Sequence, residues 1–191
     1  MAFAVIAFDG PDPSRRAAAR DRHIASIAAM ARDGTLLLGL PVHSAEGRSR
    51  GSLMVIAAQD QAGVEAYLAR EPFATDGVWQ EIACLPLRIP ALPWRPWPAD
   101  DTPVPPGRGH TILIVAGQAD VDRFGPMAQA GMLTFAAETL DAPGAILVTT
   151  HRDDASALDW VAADPDLCRA TVALHASLLR PLPYRPLPRT G

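Results

Sequence analysis

The sequence predicts an α+β fold: two ferredoxin-like β-α-β-β-α-β units packed sheet to sheet as an intrachain pseudo-dimer, a dimeric α/β-barrel type of architecture. Three observations predict it. The 191 residues divide at the stretch PALPWRPWPADDTPVPPGRG, where seven of the nineteen prolines fall between Pro90 and Pro106 without a periodic apolar pattern. The parts on either side repeat one another: Gly51 to Arg70 lies over Gly144 to Ala163, so that Val55 meets Val148, Asp60 meets Asp153 and Tyr67 meets Trp160. Both parts also carry apolar runs and helical segments in one order. The boundaries that follow are a first unit over 1–89, a linker over 90–109 and a second, degenerate unit over 110–191.

The elements follow in order. Phe3 to Phe8 and its counterpart Thr111 to Val115 are short apolar runs of buried-strand type. A helix comes next, on which Ile24, Ile27, Met30 and Ala31 mark a core-facing stripe with Arg20 and His23 at its edge. Thr35 to Leu40 and Ser52 to Ala58 read as two strands separated by a turn region carrying Pro41, Gly47 and Gly51. Asp60 reads as the N-cap of a second helix with Val64, Tyr67 and Leu68 on one face, which Pro72 stops. A last strand runs from about Val78 to Leu87.

In the second unit GMLTFA from Gly131 pairs with GTLLLG from Gly34, and Asp164-Pro165 pairs with Glu71-Pro72. The tails Trp94-Arg95-Pro96 and Tyr184-Arg185-Pro186 also correspond. A single unit has both helices on one sheet face and leaves the other bare, so a second unit in the same chain supplies the cover.

Composition excludes several chemistries. All 17 basic residues are arginine, and neither lysine nor asparagine occurs. A Walker-type phosphate loop, a Schiff-base lysine and N-glycosylation are therefore ruled out. A net charge of −4 argues against a nucleic-acid or anionic-membrane partner, and 49% hydrophobic residues supply a sizeable core. Arg15, Arg16, Arg20 and Arg22 crowd one segment and read as a solvated helix face. The start MAFAVIAFDGPD lacks signal-peptide features and a membrane-spanning run, which leaves a cytoplasmic location as the expectation.

Cys84 and Cys168 lack metal-ligand spacing and read as inert thiols. His43-Ser44 has no nucleophile elbow, His110, His151 and His175 show no paired spacing, and Gly107-Arg108-Gly109 precedes a strand instead of following one. No metal and no cofactor are expected. Trp79, Trp94, Trp97 and Trp160 read as core or interface anchors, with Trp94 and Trp97 also candidates for a pocket wall.

The run FAVIAFDGPDPS, followed by RDRHIASI, DGTLLLGLP, GSLMVIAA and EPFATDGVWQEI, resembles the YciI-like (YCII-related) family of small ferredoxin-like α+β proteins. The matching signals are the Asp9-Gly10-Pro11-Asp12 turn, Arg20-x-x-His23, Gly51-Ser52 and the acidic-Pro-aromatic step before Gly77-Val78. The resemblance implies an active site built from the helix-one histidine, here His23, and the aspartate of an Asp-Pro step, a position that holds Glu71 in this chain. It also implies chemistry of the dehydrochlorinase kind found in at least one member type. The second unit keeps Asp164-Pro165 but places Asp120 opposite His23, so it lacks the pair.

A carboxylate on one imidazole nitrogen leaves the other free as general base or acid. The expected catalytic residues are His23, Glu71 and Asp9, with Arg20, Ser52 and Trp79 binding substrate. The first reading is a lyase, isomerase or cyclase acting on a small cyclic or aromatic carbonyl compound. The alternative is a non-catalytic small-molecule-binding or protein-interaction module on the same scaffold. The chain is expected to act as a monomeric pseudo-dimer or a homodimer of it.

Overall fold

The computed structural model describes residues 1–94 and 109–177. The first half comprises β1 (Ala2–Asp9), α1 (Pro13–Asp33), β2 (Leu36–His43), β3 (Ser49–Ala57), α2 (Gln61–Leu68), α3 (Pro72–Thr75) and β4 (Trp79–Arg88). In the second half β5 (His110–Ala116) is followed by a 3₁₀ turn (Val121–Phe124), α4 (Gly125–Ala130), β6 (Leu133–Thr139) and β7 (Gly144–Thr149). Then come α5 (Asp154–Ala163), a second 3₁₀ turn (Leu167–Arg169) and β8 (Thr171–Ser177).

The eight strands are antiparallel and form one closed barrel in the order β1-β3-β2-β8-β5-β7-β6-β4. Read half by half, β4-β1-β3-β2 and β8-β5-β7-β6 are the same arrangement. Face-to-face packing, the arrangement expected from the sequence, is thus supplemented by hydrogen bonding at both edges. The two seams are thin: His43 opposite Ala176 joins β2 to β8, and Leu87–Thr139 with Arg88–Glu138 joins β4 to β6.

Alternation along the strands explains three separate cores. On β1, Ala2, Ala4 and Ile6 point into the barrel, where Leu38, Leu53 and Val55 meet Ile112, Phe135, Ile146 and Val148 of the second half. Phe3, Val5 and Ala7 point outward, beneath α1 and α2, with Met54, Ile56, Val64 and Tyr67. A matching outer layer in the second half gathers Leu113, Val115, Ala136, Leu147 and Val161. Strands buried on both faces read as continuous apolar runs, which is how the sequence shows them.

Caps set the helix ends. Asp12 accepts from the Ser14 N–H with Pro13 as the first residue of α1, and Gly34, at φ +99°, closes it by donating to the Met30 carbonyl. Asp60 and Asp153 cap α2 and α5 in the same way, accepting from Gly63 and Ser156.

Several boundaries differ from the expectation. β2 and β3 absorb the supposed turn residues Pro41 and Gly51, leaving a shorter turn around Gly47. Gly51 sits where β1 approaches so closely that a Cβ would lie 2.0 Å from the Ala7 carbonyl oxygen. Helix α2 ends at Leu68, and Pro72 opens α3 instead of merely stopping its predecessor.

Of the proline-rich linker, residues 95–108 lie outside the described residues, as do Trp97 and the Tyr184-Arg185-Pro186 tail. Trp94 is described: its indole N–H donates to the Pro90 carbonyl at 3.2 Å, and its ring packs on the outer core of the second half. No helix among the described residues is long and apolar enough to cross a membrane.

Candidate active site

Helix α1 lies on the outer face of the first half with Ala19, His23, Ile27 and Ala31 buried. His23 is therefore central to the stripe and not at its edge. A stripe drawn through Ile24 and Met30, which are only partly buried, is rotated away from the face that Ala19 and His23 share with Ile27 and Ala31. Glu71 is fully buried and acts as N-cap of α3, one oxygen (Oε1) accepting from the Phe73 N–H at 3.0 Å. The same oxygen lies 2.6 Å from His23 Nδ1, while Oε2 receives the Tyr67 hydroxyl at 3.5 Å.

Every group facing this carboxylate is a donor, so His23 Nδ1 carries the proton and Nε2 is left as acceptor. Nε2 has no hydrogen-bond partner among the described residues and is not sealed from solvent. The imidazole stacks on Phe73 with ring centroids 3.8 Å apart and meets Trp79 edge-on at 6.2 Å. The buried Trp79 indole N–H has no acceptor among the described residues.

The arginine beside this pair is Arg16, not Arg20. Arg16 donates to Asp9 Oδ1 at 3.2 Å, to the Gly51 carbonyl at 2.9 Å and to Ser52 Oγ at 3.2 Å, and its guanidinium lies 4.4 Å above the Phe73 ring. Arg20 is half exposed and among the described residues pairs only with Asp21, at 3.6 Å. Helix geometry explains the exchange: seven residues bring Arg16 to within about 20° of His23 around α1, whereas Arg20 is about 60° away. Spacing of seven was the signal that could have found it. The four crowded arginines are accordingly not one solvated face, because Arg16 turns inward.

Burial pushes the Asp9 carboxyl above its ordinary range, against the opposing pull of Arg16, a hydrogen bond from Ser49 and the charge of His23. Burial likewise lowers the Arg16 guanidinium, with Asp9 and Glu71 opposing. The structure thus brings His23, Glu71 and Trp79 into one cluster and Asp9, Arg16 and Ser52 into an adjoining one, with Phe73 touching both. Sequence reasoning missed Arg16, Phe73, Ser49 and Tyr67.

The second half holds a different pair at the corresponding place. Asp164, the counterpart of Glu71, accepts from Arg123 and from the N–H groups of Leu167 and Asp166 at 2.9 and 3.1 Å. Burial pulls its carboxyl up, but Arg123 and those N–H groups outweigh it and hold it down. Arg123 rests on Phe124 at 4.5 Å, as Arg16 rests on Phe73. The residue facing this carboxylate is therefore Arg123, and Asp120 instead caps the 3₁₀ turn.

The remaining candidates are placed as follows. His151 bonds Thr149 Oγ1 at 2.8 Å and lies against Trp160, and burial drives His110 down to about 4. Ser44 accepts from the Arg48 N–H in the β2–β3 turn. Burial raises the Cys84 thiol, and Cys168 is exposed. Among the described residues no three His, Cys, Asp or Glu side chains are grouped to hold a metal ion. A cavity of about 740 Å³ borders Arg88, Glu138 and Asp166, and another of about 220 Å³ opens between β2 and β8; neither contains His23 or Glu71.

Residues 1–88 match the family model of the YCII-related domain. No curated protein matches the chain. Among solved structures, a candidate monooxygenase from Lactobacillus acidophilus is similar over 93% of this chain and 92% of its own, at 12% identity and a TM-score of 0.51. Another from Fusobacterium nucleatum is similar over 93% and 91%, at 9% identity and a TM-score of 0.50. The 5-chloro-2-hydroxyhydroquinone dehydrochlorinase of Burkholderia phenoliruptrix, solved with 2,5-dihydroxybenzoquinone, aligns with 44% of this chain and 90% of its own, at 20% identity and a TM-score of 0.39. At these identities the two full-length likenesses establish a shared barrel fold.

Proposed function

We propose that this chain, whose residues 1–88 form a YCII-related domain, is an acid–base enzyme: a lyase, isomerase or cyclase acting on a small cyclic or aromatic carbonyl compound. The observation that carries this reading is the 2.6 Å contact between Glu71 and His23 Nδ1, which leaves Nε2 without a partner among the described residues. Glu71 fixes the tautomer and steadies the imidazolium that forms when Nε2 takes a proton, and that proton transfer by His23 is worth about 10²–10⁴-fold in rate. The substrate proton taken is one adjacent to a carbonyl, and the charge that develops on the oxygen is met by the Arg16 guanidinium and the Trp79 N–H. Return of the proton to another carbon is isomerisation; departure of a leaving group is elimination; attack by the carbanion within the molecule is ring closure. Asp9, its carboxyl raised by burial, is the second proton carrier, and Ser52 aligns Arg16.

One observation favours the alternative, a non-catalytic binding module. Arg16, Asp9 and Glu71 are all engaged with one another or with backbone groups, as a structural clamp would be, and Arg123–Asp164 does the same in the second half without a histidine. The experiment that separates them compares metabolites of cells carrying wild-type protein or His23→Gln, then tests turnover of whatever accumulates. The enzyme reading expects a compound that only the wild type consumes, with turnover down at least 100-fold in the folded variant. Equal metabolite profiles, or equal turnover, overturn it.

A further inference from the structure

We propose that the barrel mouth at the β2–β8 seam is a second, separate binding site that takes a small aromatic monocarboxylate. A cavity of about 220 Å³ opens there, lined by Phe8, His43 and Arg50 of the first half and by Asp154, Leu174 and His175 of the second. Phe8 packs toward the barrel interior, whereas its neighbour Asp9 belongs to the Arg16 cluster on the outer face, so the sheet divides the two sites.

Arg50 supplies the reason to expect an anion. Its guanidinium is permanently charged, yet it makes no hydrogen bond and no ion pair with any described residue, and Glu46 feels its charge. Arg88 and Arg123, in contrast, are each held by two carboxylates. A planar fork of donors with no acceptor at the rim of a cavity is a carboxylate holder. Apolar lining comes from Phe8 of the barrel interior and Leu174 of the second half's outer layer, and the Phe8 and His175 rings stand 5.6 Å apart at 50°.

Size and charge narrow the ligand further. At roughly 30 Å³ per water the space equals about seven waters, which suits one ring bearing one carboxylate. Asp154 adds a negative charge to the wall and disfavours a dianion. The site is incomplete in either half alone, which gives the second half a role that the His23–Glu71 pair does not.

Benzoate is the probe, measured by calorimetry and by imidazole NMR on the full chain. Wild type is expected to bind it with shifts at His43 and His175. Arg50→Gln, a change at an exposed position, should weaken binding at least tenfold, whereas His23→Gln should stay within about twofold. Benzyl alcohol, with the same ring and no charge, should bind at least tenfold more weakly. Absence of binding up to about 10 mM overturns the proposal, and so does binding that survives Arg50→Gln but is lost in His23→Gln, which would put the carboxylate at the outer site.

Discussion

Replacing Glu71 separates its two duties, because alanine removes both and glutamine removes one. Glu71→Ala strips the N-cap from α3, at a cost of about 1 kcal/mol, and leaves the buried His23 Nδ1–H without an acceptor, at about 1–3 kcal/mol. The sum, about 2–4 kcal/mol, corresponds to a fall in melting temperature of roughly 5–15 °C for a chain of this size. Glu71→Gln keeps an oxygen for Phe73 and His23 and should cost about 1 kcal/mol, the difference between a charged and a neutral acceptor. Urea titration of both variants, with imidazole ¹⁵N NMR of His23, is the assay. The wild type should show the proton on Nδ1, and Glu71→Ala should lose that preference. If the two variants unfold at the same urea concentration, or if the His23 tautomer is unchanged in Glu71→Ala, the geometry assigned to the pair is wrong.

Further outcomes follow from other contacts. Arg16→Ala should destabilise by about 2 kcal/mol through loss of its bonds to Asp9, Gly51 and Ser52, while Arg20→Ala stays within about 0.5 kcal/mol; equal effects in a denaturant titration would restore Arg20 to the site. His110 is neutral in the fold down to about pH 4 but titrates at its ordinary 6.5 when unfolded. Its contribution is therefore present above 6.5 and lost as pH falls toward 4, amounting to about 2 kcal/mol between pH 7 and pH 5. His110→Phe should flatten that slope, and an unaltered slope would assign the loss to other groups. Gly51→Ala should cost about 3 kcal/mol or prevent folding, since no backbone shift admits a Cβ 2.0 Å from an oxygen without parting β1 from β3; a soluble variant of wild-type stability would refute the close approach.

Much of the fold was legible in the sequence because its signals are local. Apolar runs marked the strands, Asp60 marked the start of its helix, and apolar and helical segments were read in the same order in both halves. Thr111 to Val115 and Phe3 to Phe8 were located to within a residue or two of β5 and β1. What escaped depends on contacts between distant segments. Gly51 looks like a turn residue until β1 is laid beside it, and Pro41 lies within β2 because the adjoining seam needs only His43 to pair. The placement of Arg16 is of the same kind. It is one of four arginines on α1, and only the proximity of Asp9 and Ser52 on two strands distinguishes it. Glu71 was singled out as a partner for His23, but its capping of α3 was invisible because that helix is four residues long.

The seams that close the barrel have a consequence for how the two halves can vary. In a symmetric pair of separate chains, a substitution in one site is unavoidably made in the other, and the weakly joined edges would come apart on dilution. Here His43–Ala176, Leu87–Thr139 and Arg88–Glu138 join segments of a single chain, so their closure is intramolecular and independent of protein concentration. Each half is also free to change alone. An arginine can face Asp164 while a histidine faces Glu71, and a cavity between unlike walls can form at a seam where a symmetric pair would present the same residues twice.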